Sequence, residues 1–172
     1  MSIIVADASP LIAFATIRQL ELLRALYQQV LIPEAVKQEL RLDSGMPGAK
    51  RLRQAIKEGW LISRHYDDTT ESCQRLQQIL DKGETEAILL AELLSSDNKY
   101  RFLLIDERKG RKIALKRGLS IAGTGAVLLA AKKKHYIHSV KAELDKMSAN
   151  GYRLSAALQK KLLALAGEEQ SP

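Results

Sequence analysis

Residues 2–10 read SIIVADASP, from Ser2 to Pro10, and the architecture turns on this stretch. Ile3, Ile4, Val5 and Ala6 form a short apolar run rich in β-branched residues, the pattern of a strand buried on both faces. Ser9-Pro10 then opens a helical segment, PLIAFATI. Proline is tolerated in a first helical turn, where its missing N–H has no intrahelical partner to lose. Between strand and helix stands Asp7, and a carboxylate directly after an apolar strand is costly to bury unless something pairs with it.

The same unit of strand, acid and helix recurs. RFLLID is an apolar strand closed by Asp106, and the basic helix ERKGRKIALKRG follows it, with Gly118 at its C-terminal end. QQVLIP is a strand stopped by Pro33, and PEAVKQELR starts a helix on that proline. DSGMPG is a loop, AKRLRQAIKEG a helix closed by Gly59, and WLISRH a further strand. TTESCQRLQQIL reads as helix, DKG breaks the chain, and ETEAILLAELL is helical again. LSIAG is a short fifth strand, and TGAVLLAAKKK a helix with Thr124 as its expected N-cap. Two more helices, near 138–149 and 154–166, precede a polar tail. Strands alternating with helices give an α/β fold with a parallel sheet of four to five strands, built from right-handed crossovers. Ligands bind such sheets beyond the carboxyl ends of the strands. Asp7 and Asp106 are both expected at that edge.

Length and composition bound the reading. A chain of 172 residues fits one domain. Its single cysteine, Cys73, rules out a disulfide framework within the chain and favours a cytoplasmic setting. The N-terminus has no basic segment of the secretory kind, and no apolar run approaches the ~20 residues that cross a bilayer, so no membrane role is expected. Lys and Arg number 27 against 20 Asp and Glu, a net +7. That balance favours polyanionic partners, although aromatics at 5% offer no platform for stacking bases. Lys132, Lys133 and Lys134 are consecutive, point in different directions and read as a solvated helix end.

Five acids stand out: Asp7, Glu39, Glu84, Glu86 and Asp106. Glu39 lies beside the apolar face marked by Val36 and Leu40. Glu84 and Glu86 are about 200° apart on an ideal helix, yet in a first turn both long side chains can swing toward one end, where the helix dipole favours negative charge. One such acid is an ordinary helix-start residue; two are harder to explain that way. Gathered at one sheet edge, these carboxylates would repel one another unless cations neutralised them. Oxygen donors without neighbouring Cys or clustered His point to Mg2+ or Mn2+ rather than zinc. His65, His135 and His138 show no zinc-type spacing. Two such ions make a water molecule more acidic and stabilise the leaving oxygen of a phosphodiester. With a basic exterior, that chemistry is hydrolysis of a nucleic-acid backbone. Arg108, Arg111 and Lys112 follow Asp106 and read equally as holders of flanking phosphates or as a solvated helix face.

VADASPLI, IPEAVKQEL, GETEAILLA, LLIDERKGRKIA and AGTGAVLLAAKK together resemble the PIN-domain ribonucleases, and among them the VapC-like toxins of prokaryotic toxin–antitoxin pairs. The resemblance runs from about residue 2 to 150. It implies a Rossmann-like three-layer α/β/α sandwich over 1–150, with 151–172 as a C-terminal helix and polar tail packed on or extending it. It implies metal-dependent cleavage of RNA, a small antitoxin as partner and a homodimer. Asp7, Glu39, Glu84 and Asp106 match the family's four acids, as catalytic and metal-binding residues. Glu84 with Glu86 also resembles the Glu-x-Glu of the related flap nucleases, where both serve metals. Ser9 matches a hydroxyl residue that supports the metal site, and Thr124 a family threonine of structural or peripheral role. Two departures are visible: Glu84 stands where an aspartate is usual, and DASP replaces the commoner Asp-Thr-Asn or Asp-Thr-Ser. A haloacid-dehalogenase-like phosphatase would place an aspartate where Ser9 stands, and a receiver domain would end its third strand on an aspartate where WLISRH has none. An inactive PIN-like scaffold that binds protein or RNA is the reading left open beside the nuclease.

Overall fold

A computed structural model describes residues 2–169. In chain order it runs β1 (Ile3–Ala6), α1 (Ala8–Thr16), α2 (Glu21–Tyr27), β2 (Gln29–Pro33), α3 (Glu34–Glu39), α4 (Ala49–Lys57), β3 (Leu61–Arg64) and α5 (Glu71–Gln77). There follow α6 (Lys82–Leu94), β4 (Tyr100–Leu104), α7 (Arg108–Lys116), β5 (Ile121–Ala122), α8 (Thr124–Lys133), α9 (Val140–Ala149) and α10 (Ala156–Leu165). The five strands form one parallel sheet in the order β3-β2-β1-β4-β5. Helices pack on both faces, with α5, α6 and α7 on one and α1, α2, α4 and α8 on the other.

Burial on two faces explains why the strands lack an alternating pattern: Ile4, Val5 and Ala6 of β1 and Leu103 and Leu104 of β4 are all fully buried. Phe14 and Leu11 of α1, Ile88 of α6 and Leu128 of α8 fill the layers above and below. The chain builds outward from β1 through β2 to β3, then returns to the other side of β1 with β4 and β5. The strand order therefore reverses between β1 and β4, and at such a switch point the outgoing helices diverge and leave a crevice. Asp7 N donates to Leu104 O at 3.0 Å, which carries the β1–β4 ladder one residue further and sets Asp7 at the mouth of that crevice.

Three helix starts differ from expectation. The α6 helix begins at Lys82 and is capped by Asp81, whose carboxylate accepts from Glu84 N at 2.8 Å, so Gly83 lies inside the first turn rather than before it. Thr124 is the first helical residue of α8, and Gly123 holds the N-cap position, because an acid from another element does the capping. The α3 helix is a six-residue segment, with Pro33 as its N-cap. Beyond residue 150, α10 packs on α8 through Leu162, whose methyl groups fill the space a Cβ at Gly125 would take. Lys132 Nζ donates to Ala166 O at 2.7 Å, and Glu168 Oε2 accepts from Val140 N at 2.9 Å, which ties the end of the described chain to α8 and α9. Residues 170–172 of the expected polar tail lie outside the described residues. Among the described residues no helix is long and apolar enough to cross a membrane.

Candidate active site

Four helix N-termini meet at the carboxyl ends of β1 and β4, and each carries an acid. Asp7 is the N-cap residue of α1, though its side chain makes no capping bond. Asp81 caps α6. Glu107 caps α7, accepting from Lys109 N at 2.6 Å and Gly110 N at 3.1 Å. Asp106 reaches across to α8, its Oδ1 accepting from Thr124 N at 2.8 Å and its Oδ2 from Thr124 Oγ1 at 2.6 Å. The positive ends of these helix dipoles lower the cost of so much negative charge in one place. They do not remove it.

Asp7 shows what remains. It is 4% exposed, and its Oδ1 is buried with no hydrogen-bond partner. Burial pushes its carboxyl up to about 7; the Ala8 N–H works against that, and the charges of Glu39, Asp81 and Asp106 add to it. Burial likewise pushes Glu84 up to about 7, helped by Asp81 and Asp7. Glu39 is exposed as a residue, but burial of its carboxyl and the charges of Asp81 and Glu84 raise it too. Two glycines make the close approach possible. A Cβ at Gly83 would collide with the Glu39 carboxylate, and a Cβ at Gly110 would lie 3.2 Å from Glu84 Oε1 and 2.7 Å from Ile105 Cδ1. Small residues here leave room for the acids to lean in.

The structure thus brings together Asp7, Glu39, Glu84 and Asp106, and it places Glu86 elsewhere. Glu86 Oε2 accepts from Ala35 N at 3.3 Å, in the first turn of α3, and Oε1 lies 3.8 Å from Lys82 Nζ. Two residues along a helix turn a side chain to the far side, and there the α3 N-terminus takes Glu86 as its cap. Sequence reasoning missed Asp81, whose charge acts on Asp7, Glu39 and Glu84 alike. The signal was present: an acid three residues before Glu84, at a chain break, is the spacing of a helix capping pair.

Ser9 is exposed on the first turn of α1, at the lip of a cleft of about 230 Å3 that it lines with Ile12, Asn150 and Tyr152. Arg111 and Asp106 line a second cleft of about 350 Å3, between α8 and α10. Arg111 Nη1 donates to Ile105 O at 2.8 Å, which fixes its guanidinium beside Asp106. Arg108 and Lys112 are exposed on α7. Of the structural or peripheral role expected for Thr124, the structure shows the structural one: it holds both oxygens of Asp106.

A family model of the PIN domain matches residues 3–168. The chain belongs to the PIN-domain family. No curated protein and no solved structure gives a match. PIN domains are in general nucleases and typically use divalent metals. In this PIN domain the match continues well past residue 150, so α9 and α10 fall within the family's extent. The donor set suits a hard cation: the clustered side chains are carboxylates, and the orphaned Asp7 Oδ1 is an oxygen in want of a positive partner. Asp7, Glu39, Glu84 and Asp106 are the residues that could hold one. Among the described residues, no three acid, His or Cys side chains already stand close enough to ligate a single ion. The acids act on one another through charge, with their carboxylates still apart.

Proposed function

We propose that this PIN domain is a Mg2+- or Mn2+-dependent endoribonuclease that serves as the toxin of a toxin–antitoxin pair. The observation that carries the reading is Asp7: a buried carboxylate at the sheet's switch point, with an unpartnered oxygen and other acids around it. Such a group destabilises the fold that contains it. A cation would reverse the sign of that contribution.

A bound divalent cation supplies a more acidic water and offsets charge on the departing oxygen of a phosphodiester. The chain's own residues do the rest. Asp7, Glu39, Glu84 and Asp106 bind and orient; Thr124 fixes Asp106 from two sides; Ser9 supports the Asp7 side of the site. Arg111 stands beside Asp106, and the exposed Arg108 and Lys112 would hold phosphates flanking the scissile bond. A net charge of +7 draws the polyanion in despite the acidic centre. RNA as the substrate, a small antitoxin and a homodimer rest on the likeness of the five motifs to the VapC-like branch.

Two observations favour a second reading. The carboxylates do not converge on a common point, and Glu84 replaces the commoner aspartate, as an inactive scaffold would allow. Incubating the wild type and Asp7→Asn with labelled structured RNA, with Mg2+, with Mn2+ and with EDTA, together with a metal-binding titration on the same samples, separates the two. Metal-dependent cleavage by the wild type alone is the expected result. Equal cleavage by the variant would remove Asp7 from the mechanism, and absence of both cleavage and metal binding would leave the scaffold.

A further inference from the structure

The segment after α9 reaches back to the acid cluster. Gly151 turns the chain with φ of 90°, a conformation glycine adopts without strain, and Tyr152 N donates to Met147 O at 3.0 Å to close α9. Tyr152 then points inward. It lines the cleft shared with Ser9, while Leu154, two residues on, lines the cleft that holds Asp106 and Arg111. Its hydroxyl oxygen is buried, has no partner of good hydrogen-bond geometry, and lies beside Asp106 and Thr124. A phenol is a neutral O–H donor near neutral pH.

Asp106 already receives one bond on each oxygen from Thr124. A carboxylate that is also to face a cation needs its orientation held against that pull, and groups in the second shell of metal sites do this by hydrogen-bonding the ligand. We propose that Tyr152 is a positioning residue for Asp106, its O–H supporting the carboxylate in the cation-bound protein, so that residues beyond 150 complete the metal site. This rests on the metal-site reading above. An orphaned hydroxyl alone would not carry it, since the buried hydroxyl of Tyr100 also lacks a partner. Tyr100 opens β4 at the amino ends of the strands, whereas Tyr152 adjoins Asp106 at their carboxyl ends. That difference supplies the control.

Mn2+ binding is measured by the loss of the free-ion electron paramagnetic resonance signal for the wild type, Tyr152→Phe and Tyr100→Phe, with circular dichroism to confirm that each is folded. Both substitutions keep the ring and remove only an unpartnered oxygen, so folding is retained. Tyr152→Phe is expected to weaken Mn2+ binding about tenfold, the lower end for loss of a second-shell partner, while Tyr100→Phe binds as the wild type does. Unchanged binding in Tyr152→Phe, or equal weakening in Tyr100→Phe, overturns the proposal and leaves the metal site standing. A wild type that binds no Mn2+ overturns both.

Discussion

Asp7 and Asp106 occupy equivalent places at the ends of neighbouring strands, yet their surroundings give them opposite energetic signs. Asp106 receives two hydrogen bonds from Thr124 and thereby caps α8. Asp7 has a buried oxygen that nothing satisfies. Asp106→Ala is expected to cost about 1–2 kcal/mol, as loss of a helix cap does, whereas Asp7→Asn stabilises the metal-free protein by on the order of 2 kcal/mol at neutral pH. Urea denaturation of the two variants checks both signs. The pH dependence follows from the same residues. Asp7 rises from 3.8 and Glu84 from 4.5, each to about 7, so the native state holds their protons more tightly than the unfolded chain. The stability this contributes is fully present below about pH 4 and is lost as pH rises through about 7. Metal-free protein should therefore melt higher at about pH 5.5 than at about pH 7.5, with a smaller difference in Asp7→Asn. A melting temperature that rises over this interval would contradict the burial of these carboxyls. That both aspartates stand at the carboxyl ends of their strands was legible in the sequence, because an acid ending an apolar strand is conspicuous. Which of them is satisfied was not, because Thr124 lies 18 positions from Asp106.

At the scale of elements, α6 carries the division of labour. Its N-terminal residues offer Glu84 to the acid cluster and Glu86 to α3, and the α3 helix returns Glu39 over Gly83. Glu86→Ala strips Ala35 N of its partner and should cost about 1–3 kcal/mol while metal binding persists, as parallel denaturation and Mn2+ titrations would show. Gly110→Ala drives a methyl group against Ile105 and toward Glu84. It is expected to cost about 1–3 kcal/mol through overpacking and to weaken RNA cleavage as well, because Glu84 has to move. The double acid after the glycine had a metal-binding appearance in sequence. The structure turns Glu86 toward the N-terminus of α3, where it accepts from Ala35 N, and that packing is a tertiary fact. Asp81 escaped notice for the converse reason: a turn residue between two helices has an ordinary explanation, and only the meeting of α1, α3 and α6 gives it a second role.

For the whole molecule, the parallel sheet was legible throughout, because buried strands separated by amphipathic helices admit few other arrangements. Its strand order was not written in any one segment, but it is what juxtaposes β1 and β4 and so brings Asp7 and Asp106 to one end of the sheet. With a net charge of +7 around an acidic centre, the proposed association with RNA would be salt-dependent through counterion release. Arg108→Ala combined with Lys112→Ala should weaken RNA binding and flatten its salt dependence by roughly one to two ions, which filter binding over a salt series would reveal. The most direct measurement on the central claim is calorimetric titration of Mn2+ into the wild type, Asp7→Asn and Glu86→Gln near neutral pH. The cluster built on Asp7, Glu39, Glu84 and Asp106 requires that the wild type and Glu86→Gln bind alike and that Asp7→Asn binds at least about tenfold more weakly. Undiminished binding by Asp7→Asn, or loss of binding in Glu86→Gln alone, would contradict it.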